Sequence, residues 1–462
     1  MVVATGEPEV GGPRPPRFAS AALATFGAQL GAALLSFVSV LIVSRALGPS
    51  GRGQVAFLTT IAVLSSNVAL LGIQEAHANF AAAEPENRRA LATNSLILSV
   101  LLGGACVGLL GGLVALFPGL AREPWTLLGL ALGSIPMLIL QTYLQFFVSA
   151  DYAFGMYNLS WVITPLLTVA VNGTLAGLHS LTVTIAFGNW VAAQAAATVL
   201  LLWFVARRSV GFGRPETRLA RRALGFGLRT HFGRLMMFGN YRADQWFVGS
   251  MAGSRELGLY SIAVAWSEVL FYLPSAFVIV QRPYLVRAGS RDAALRAARV
   301  FRAGILLTAL LAVAVIATAP VLCVTVFGSG FRGSIDDLRV LALGAFGIVA
   351  VKQLGNALTA QRRPGLASVA ATLAFAVSIV LDVLLIPDHG GLGAALASTL
   401  SYSLGGIAIA VLFLRVFSVP ATKLLPRGRE LPGFVGELWQ LRSRSGPAPA
   451  AAVSGRRSNP GR

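Results

Sequence analysis

Six charged or strongly polar residues interrupt a hydrophobic stretch, Ala223 to Met251, that is long enough to cross a bilayer. They are Arg229, His231, Arg234, Asn240, Arg242 and Asp244. Ionisable groups are costly at membrane depth, so such residues typically face a polar cavity, an ion-pair partner or a substrate. A guanidinium stays charged at any working pH and binds phosphate through paired hydrogen bonds. The three arginines therefore predict a site for an anionic group such as a phosphate.

Helical periodicity spreads these polar residues around most of the helix, beside a narrow apolar arc that includes Leu228 and Trp246. With the bilayer centre near Phe238, Arg234 lies roughly 6 Å from the midplane, where snorkelling is least effective. For any single residue of the stretch, an ion pair with a neighbouring helix is an equally good interpretation. The residues predicted to bind substrate are Arg229, Arg234, Asn240, Tyr241 and Arg242.

Ionisable residues also occur in the other apolar runs. The full set inside predicted spans, apart from the arginines and histidines, is Glu75, Asp244, Glu268, Lys352 and Asp382. Each could carry or respond to a coupling ion such as a proton or sodium, and each could equally be an internal counter-ion. The counter-ion interpretation is favoured for Asp244, whereas both roles stay open for Glu268 and Asp382.

Motifs for enzymatic chemistry are missing from the sequence. Neither Lys352 nor Lys423 belongs to a GxxxxGK[ST] loop, so no such nucleotide-hydrolysing site is present. The four histidines have no partners at metal-binding spacing. Asp336 and Asp337 are adjacent on a short loop beside arginines, which favours a solvated loop over a catalytic pair. We predict a protein that is not an enzyme and that uses no cofactor and no metal.

Composition places the chain among the polytopic membrane proteins. Of its 462 residues 55% are hydrophobic and only 12% are charged, too few polar groups to cover a soluble surface. The net charge is +19, and the basic residues that produce it lie between the apolar runs and are not interleaved with aromatic residues. This arrangement argues against nucleic acid as a partner. Only two of the 37 basic residues are lysines, a bias that indicates a bacterial, GC-rich genome.

The apolar runs predict an all-α protein with twelve transmembrane helices. The predicted spans are Phe18–Val43, Gln54–Asn79, Leu91–Phe117, Trp125–Ser149, Tyr157–Leu178, Thr182–Val205, Ala223–Met251, Leu257–Val280, Phe301–Phe327, Leu338–Ala360, Gly365–Ile386 and Leu392–Val416. The third contains Gly104, Gly108 and Gly112, whose spacing predicts the close approach of a neighbouring helix.

Twelve spans place both termini on one side of the membrane. By this alternation, 27 of the 37 basic residues lie on the side of the termini, six on the other side and four within spans. The positive-inside rule then predicts cytoplasmic termini in a bacterial inner (plasma) membrane. The predicted segments are a disordered tail 1–17, an N-lobe 18–206, a basic linker 207–222, a C-lobe 223–417 and a disordered basic tail 418–462.

The two halves share a weak internal repeat. Two of the three glycines of GPSGRGQV, Gly48 and Gly53, recur in GSRELGLY as Gly253 and Gly258, at an offset of 205 residues. Because a separation of six spans preserves orientation, the repeat predicts two parallel six-helix lobes around a central cavity. The same offset pairs Arg234 with Gln29, which adds Gln29 to the candidate binding residues.

Three segments resemble a known family of membrane proteins. They are SRALGPSGRGQVAF at Ser44–Phe57, YRADQWFVGSMAGSRELGLYSIAVAWSEVLFYLPSAF at Tyr241–Phe277 and GGLGAALASTLSY at Gly390–Tyr402. On these segments the sequence resembles the polysaccharide-biosynthesis (Wzx-type) flippases of lipid-linked oligosaccharides. This family belongs to the multidrug/oligosaccharidyl-lipid/polysaccharide exporter superfamily, and the likeness covers nearly all of 18–416.

The resemblance implies two six-helix lobes and a cavity that opens alternately to the two leaflets of the bilayer. It implies as cargo an undecaprenyl-pyrophosphate-linked sugar, moved to the outer leaflet for cell-surface polysaccharide synthesis. A polysaccharide polymerase or another envelope-assembly protein is the implied protein partner. Lipid II flippases of this superfamily are usually described with two additional helices, which the sequence does not show. Two alternatives stay open: a cation-coupled exporter of another solute, and a membrane glycosyltransferase or polymerase.

Overall fold

A computed structural model describes residues 18–117, 123–287 and 289–426, and every regular element within these ranges is helical. The predicted tail 1–17 and residues 427–462 of the predicted tail 418–462 lie outside the described residues. The described chain forms α1 Phe18–Ala69, α2 Ile73–Ala83, α3 Arg88–Leu116, α4 Trp125–Gly133, α5 Ile135–Ala150, α6 Phe154–Gly177, α7 Val183–Arg207, α8 Thr217–Met251, α9 Ser254–Arg287, α10 Ser290–Pro320, α11 Ser334–Ala360 and α12 Pro364–Phe417.

Two of these helices are each long enough for two membrane crossings. Helix α1 has 52 residues and α12 has 54, whereas a single crossing needs about 20. Gly48 (φ 66°, ψ −175°) breaks α1 and Gly390 (φ 55°, ψ −131°) breaks α12, since glycine adopts positive φ at little cost. The first two predicted spans, and likewise the last two, are therefore joined by a sharp helix kink at a glycine and not by the predicted loop.

Two predicted spans are divided in the structure. Gln54–Asn79 is interrupted at Leu71 and Gly72, whose positive φ values of 48° and 73° end α1 and restart the chain as α2. Trp125–Ser149 is interrupted near Ser134, because Pro136 in the first turn of α5 cannot continue the hydrogen bonding of α4. The prediction of unbroken helices was wrong in both places.

Among the described residues, seven helices are long and apolar enough to cross a membrane. Helices α1 and α12 cross twice, and α4 with α5 makes one crossing. The more polar α8, α9 and α11 complete the twelve spans and contact one another or α1 and α12 in the interior. The predicted all-α bundle of twelve spans is confirmed, while the lobe boundaries stay predictions.

The two repeat-related segments touch each other where the lobes meet. A Cβ on Gly53 would lie 1.6 Å from the Ser254 carbonyl oxygen, and one on Gly258 would lie 1.9 Å from that of Pro49. Only glycine allows so close an approach of two backbones. We call this end of the bundle, which also carries Gly48 and Gly390, the glycine end, and the opposite end, which carries 207–222, the basic end.

The predicted linker 207–222 is held against the start of α3. Thr93 Oγ1 both donates to the Gly213 carbonyl (2.9 Å) and accepts from its amide (3.0 Å). Asn94 makes the same two-way contact with the Glu216 backbone, at 3.0 and 3.2 Å. Helix α8 begins within this segment, six residues before the predicted span at Ala223. The segment is therefore an ordered strap between the lobes.

The glycine spacing on the third span does not mediate packing. Nothing among the described residues lies within 4 Å of a Cβ placed on Gly104, Gly108 or Gly112. The neighbouring Gly103 is the close contact instead, because a Cβ there would lie 2.6 Å from the Cα of Pro136. The prediction failed because the ladder occupies an exposed face of α3, one residue around the helix from the interior.

Candidate functional site

A cavity of about 380 Å³ lies between the lobes and is lined mainly by the first one. Helix α8 of the second lobe contributes two of the lining residues, Arg242 and Gln245. The polar lining consists of Ser36, Ser39, Arg52, Thr59, Thr60, Thr164, Thr168, Asn172, Trp190, Arg242 and Gln245. Cationic, hydroxyl and amide groups predominate, so the cavity suits a polar ligand that carries negative charge.

Arg52 lines this cavity and was missed as a site residue by the sequence analysis. Its Nε is buried and has no hydrogen-bond partner among the described residues. Arg52 is one of the six basic residues that the sequence analysis assigns to loops on the side opposite the termini. The break at Gly48 instead lets the helix resume before Arg52, and its side chain lines the cavity. Its position between Gly51 and Gly53, in a repeated segment that the lobes share, was the available signal.

Arg242 is the second arginine of the cavity, and the structure gives it a counter-ion. Its Nη2 lies 3.0 Å from Glu268 Oε1 on α9. Of the two lining arginines, Arg52 alone has no carboxylate at ion-pair distance within the described ranges. Arg52 is therefore the lining cation whose charge is available to a ligand.

Arg234 does not line this cavity. Its Nη1 lies 3.0 Å from Glu75 Oε1 on α2, and its guanidinium lies 5.5 Å from the centre of the Phe146 ring. In the predicted division α2 and α8 belong to different lobes, so this ion pair crosses the predicted lobe boundary. Glu75 is thus the counter-ion of Arg234, and Glu268 is the counter-ion of Arg242; this is one of the two roles that the sequence analysis left open for these carboxylates.

The remaining predicted binding residues are dispersed. Arg229 and Gln29 are exposed on their helices. Asn240 and Tyr241 are half-buried near Tyr402, which donates from Oη to the Asn240 carbonyl at 3.1 Å. Of the predicted cluster, the structure brings only Arg242 to the cavity. A role for the others in substrate binding stays a prediction.

Asp244 is buried in the second lobe and is held by hydroxyl groups. Tyr260 Oη donates to its Oδ2 at 2.5 Å, and Ser398 Oγ donates to the same oxygen at 3.3 Å. The backbone amide of Gln245 donates to Oδ1 at 2.7 Å. The structure thus places Asp244 in a hydroxyl network on α8, α9 and α12, and not in an arginine ion pair as the favoured interpretation expected.

Asp382 and Lys352 lie deeper in the second lobe. Ser378 Oγ donates to Asp382 Oδ2 at 3.2 Å, while the buried Oδ1 has no hydrogen-bond partner among the described residues. Lys352 Nζ donates to Ser275 Oγ at 2.8 Å. No group of three or more metal-ligating side chains placed to hold an ion is found in the described part of the chain.

The sequence profile described as "Polysaccharide biosynthesis protein" matches residues 19–288, more than half of the chain. The chain belongs to this family. The resemblance inferred from the three sequence segments is thereby confirmed. Among curated proteins no significant match is found.

Solved structures show that this family member has a transporter fold. The chain is similar to the structure described as "Lipid II flippase MurJ, inward closed conformation", with a TM-score of 0.70 and 13% identity over 93% of this chain and 94% of that one. It is similar to an inward-facing multidrug resistance MATE family transporter of the MOP superfamily, with a TM-score of 0.65, 13% identity and coverage of 86% and 98%. It is also similar to an outward-facing multidrug resistance MATE family transporter of the MOP superfamily, with a TM-score of 0.58, 13% identity and coverage of 86% of this chain and 95% of that one.

At the glycine end of this polysaccharide biosynthesis family member, Arg45 joins the two lobes. Its Nε donates to the Val326 carbonyl at 2.7 Å and its Nη2 donates to the Thr325 carbonyl at 2.9 Å. These carbonyls lie at the end of the π-helical turn Val321–Thr325, which follows Pro320, and such a helix end attracts a cation. Together with the contact between Gly53 and Ser254, this latch joins the two lobes at the glycine end.

The basic end is joined across the lobes along α2 and α8. A Cβ on Gly72 would lie 2.2 Å from the Gly227 carbonyl oxygen, so the two backbones touch. Nearer the surface, Arg222 Nη2 lies 2.6 Å from Glu84 Oε1, and this contact holds the pKa of the Glu84 carboxyl below its ordinary value. The pair therefore stays ionised at neutral pH.

Proposed function

We propose that the protein is a flippase for an undecaprenyl-pyrophosphate-linked oligosaccharide, or a related lipid-linked sugar. It moves this substrate from the cytoplasmic to the outer leaflet by alternating access and makes or breaks no covalent bond. The family match and the transporter fold support this function. The observation that carries the proposal is Arg52, a cavity arginine without a carboxylate partner among the described residues.

The cavity charges fit a pyrophosphate. Arg52 and Arg242 lie on helices of different lobes and line the same cavity. Guanidinium groups bind phosphate oxygens bidentately, while the polyprenyl tail stays in the lipid. Arg229 and Arg234 remain candidates for the route from the basic end. Outward movement of the anion is favoured by roughly 2.3 kcal/mol per charge per 100 mV of inside-negative potential.

The charge distribution sets the orientation in this proposal. The basic end, with 207–222, faces the cytoplasm of a bacterium, and both termini lie on that side of the inner membrane. Release at the glycine end then delivers the sugar to the outer leaflet. A polysaccharide polymerase or another envelope-assembly protein is the partner that would consume the exported lipid-linked sugar.

A cation-coupled exporter of another solute is the second candidate function. The observation in its favour is the pair of buried carboxylates, Asp244 in its hydroxyl network and Asp382 with a buried oxygen that lacks a partner in the described residues. Unpaired intramembrane carboxylates mark ion pathways in transporters. The sign of the cavity separates the two functions, because Arg52 repels a cationic solute and attracts a phosphate.

A sidedness assay in proteoliposomes tests the flippase function. The probe is a fluorescent undecaprenyl-pyrophosphate sugar, and an impermeant reagent destroys only the probe in the exposed leaflet. We expect protein-dependent loss of protection that Arg52→Ala slows by about 10- to 100-fold, the loss expected when hydrogen bonds from a charged group are removed. Arg52→Lys keeps the charge but loses the planar fork, so it retains part of the rate.

The matched control is Arg339→Ala, since Arg339 is exposed and its one ion pair among the described residues is with Asp336 on the same helix, α11, at 3.4 Å. This variant should transport at the wild-type rate. If folded wild-type protein under an imposed potential gives the same protection as protein-free liposomes, the flippase proposal is wrong.

A further inference from the structure

One wall of the cavity is polar but carries no charge. It is formed by Thr164, Thr168 and Asn172 on α6 and by Trp190 on α7. The three α6 residues recur every fourth position, which places them on one helix face. The cavity arginines come from α1 and α8 instead. We propose that this wall, which we call the amide wall, binds the first sugar of the lipid-linked substrate; the inference rests on the flippase function proposed above.

Asn172 is held so that its amino group serves the cavity. Asn189 Nδ2 donates to Asn172 Oδ1 at 2.9 Å, which fixes the orientation of the Asn172 amide. The Asn172 Nδ2 group has no protein acceptor among the described residues. A buried donor of this kind is satisfied by a ligand hydroxyl or by water. It is suited to recognise one hydroxyl or ring oxygen of a sugar.

Trp190 provides the apolar surface that a sugar ring needs. Phe187 stacks beneath its indole, with ring centres 5.8 Å apart and planes inclined by 17°. Because Phe187 is fully buried, this stacking fixes the indole, which lines the cavity. Sugar rings have one face of C–H groups, and such a face binds an aromatic ring while its hydroxyls reach nearby amides. Trp190 and Asn172 together offer both contacts.

Thr164 is held by a second amide. Thr164 Oγ1 donates to Gln194 Oε1 at 2.9 Å, and Gln141 Nε2 donates to the same oxygen at 3.3 Å. The Thr164 hydroxyl therefore has its proton engaged and its lone pairs left as acceptors. The wall thus presents a fixed donor at Asn172 and a fixed acceptor at Thr164, two turns apart on α6.

The division of the cavity matches the two chemical parts of the ligand. Arg52 and Arg242 suit the pyrophosphate, and the uncharged amide wall suits a hydroxylated ring next to it. A volume of about 380 Å³ is near the lower end of ligand pockets, which run from roughly 300 to 1,000 Å³. The cavity therefore holds the diphosphate with its first sugar, and further sugars extend beyond it.

The test compares two probes in the proteoliposome assay, fluorescent undecaprenyl pyrophosphate with and without one hexose, across a panel of hexoses. We expect Trp190→Ala and Asn172→Leu to slow the preferred glycosylated probe by about tenfold or more, because the contacts to sugar are lost. Both variants should slow the sugar-free probe much less than the glycosylated one. Trp190→Phe keeps an aromatic face and should retain most of the hexose preference. Arg52→Ala should slow both probes.

Trp203→Ala is the control for a lost tryptophan on the same helix, since Trp203 is exposed and away from the cavity. Equal slowing of both probes by folded Trp190→Ala and Asn172→Leu overturns the amide wall as a sugar site, as does an unchanged hexose preference. If a variant is misfolded by size-exclusion chromatography, Asn172→Asp decides the same question, because it replaces the Nδ2 donor with an acceptor and should lose the hexose preference. Failure of the wild type on both probes overturns the flippase function, and the sugar site with it.

Discussion

Arg234 and Glu75 form a 3.0 Å ion pair that joins α8 to α2 across the boundary between the two lobes. Both side chains are 37% exposed, so the pair is neither a surface contact nor a fully buried one. It lies near the backbone contact of Gly72 with Gly227 along the same two helices. In an alternating-access cycle this boundary must change its contacts, so the pair is placed where it can be part of a gate.

The first prediction separates a gating role of Arg234 from direct substrate binding. Arg234→Ala should strongly reduce translocation, because the ion pair at the lobe boundary is lost, while the amount of folded protein in the membrane stays unchanged, because Glu75 is 37% exposed and is not left in a dry interior. The double variant Arg234→Glu with Glu75→Arg restores an ion pair at the same place, with the positive and negative residues exchanged between α8 and α2. Translocation in proteoliposomes should recover in the exchanged protein if the pair closes a gate. If translocation does not recover in the exchanged protein and Arg234→Lys is partly active, Arg234 belongs to the anion pathway instead.

The second prediction concerns the backbone contact at the glycine end. Gly53→Ala would place a Cβ 1.6 Å from the Ser254 carbonyl oxygen, so the lobes must shift apart. We expect this change to lower stability by about 1 to 3 kcal/mol, as overpacking does, and to lower the unfolding temperature in detergent.

Gly104→Ala is the matched control, because a Cβ at Gly104 meets nothing within 4 Å among the described residues. It should leave the unfolding temperature unchanged. An equal effect of the two substitutions shows that the contact between Gly53 and Ser254 is not tight in the native protein.

The twelve-span fold was predictable from the sequence because most spans are apolar runs of sufficient length, and the more polar α8, α9 and α11 are still long enough to cross a bilayer. The cavity residues were less predictable. Arg52 sits at a helix break that resembles a loop, and only the non-helical backbone at Gly48 reveals that the chain re-enters the bundle. In such a segment, the helical period alone does not determine which side chains face inward.

Partners of charged residues were also beyond the reach of the sequence. Arg234 and Glu75 are separated by 159 positions, and nothing in the local pattern of either helix indicates the other. Depth in the membrane identified Arg234 as costly, but the same cost is met either by a ligand or by a counter-ion. The structure supplies the counter-ion and leaves Arg52 as the cation to test.

The third prediction concerns the latch formed by Arg45 with the Val326 and Thr325 carbonyls. Arg45→Ala should favour opening of the glycine end, because the carbonyls lose a charged donor. The reporter is Ser39→Cys, which lines the cavity, in a background without Cys106 and Cys323.

An impermeant maleimide added from the glycine end should label the cysteine of Ser39→Cys about tenfold faster when Arg45→Ala is also present. A tenfold change in the opening equilibrium corresponds to a free-energy difference of about 1.4 kcal/mol. Arg45→Lys should give an intermediate rate, since it keeps one charged donor. Unchanged labelling in both proteins shows that Arg45 does not hold the cavity closed.

The fourth prediction asks whether the buried carboxylates of the second lobe couple transport to an ion. In Asp382→Asn an amide can still accept from Ser378 Oγ, so the hydrogen bond of the native carboxylate is preserved and folding should be maintained. If Asp382 binds a coupling ion, the variant should lose the dependence of translocation on an imposed sodium or proton gradient and keep its dependence on membrane potential. If translocation by Asp382→Asn responds to the ion gradient as the wild type does, Asp382 has no role in coupling. In that case the potential acting on the anionic substrate remains as the driving force.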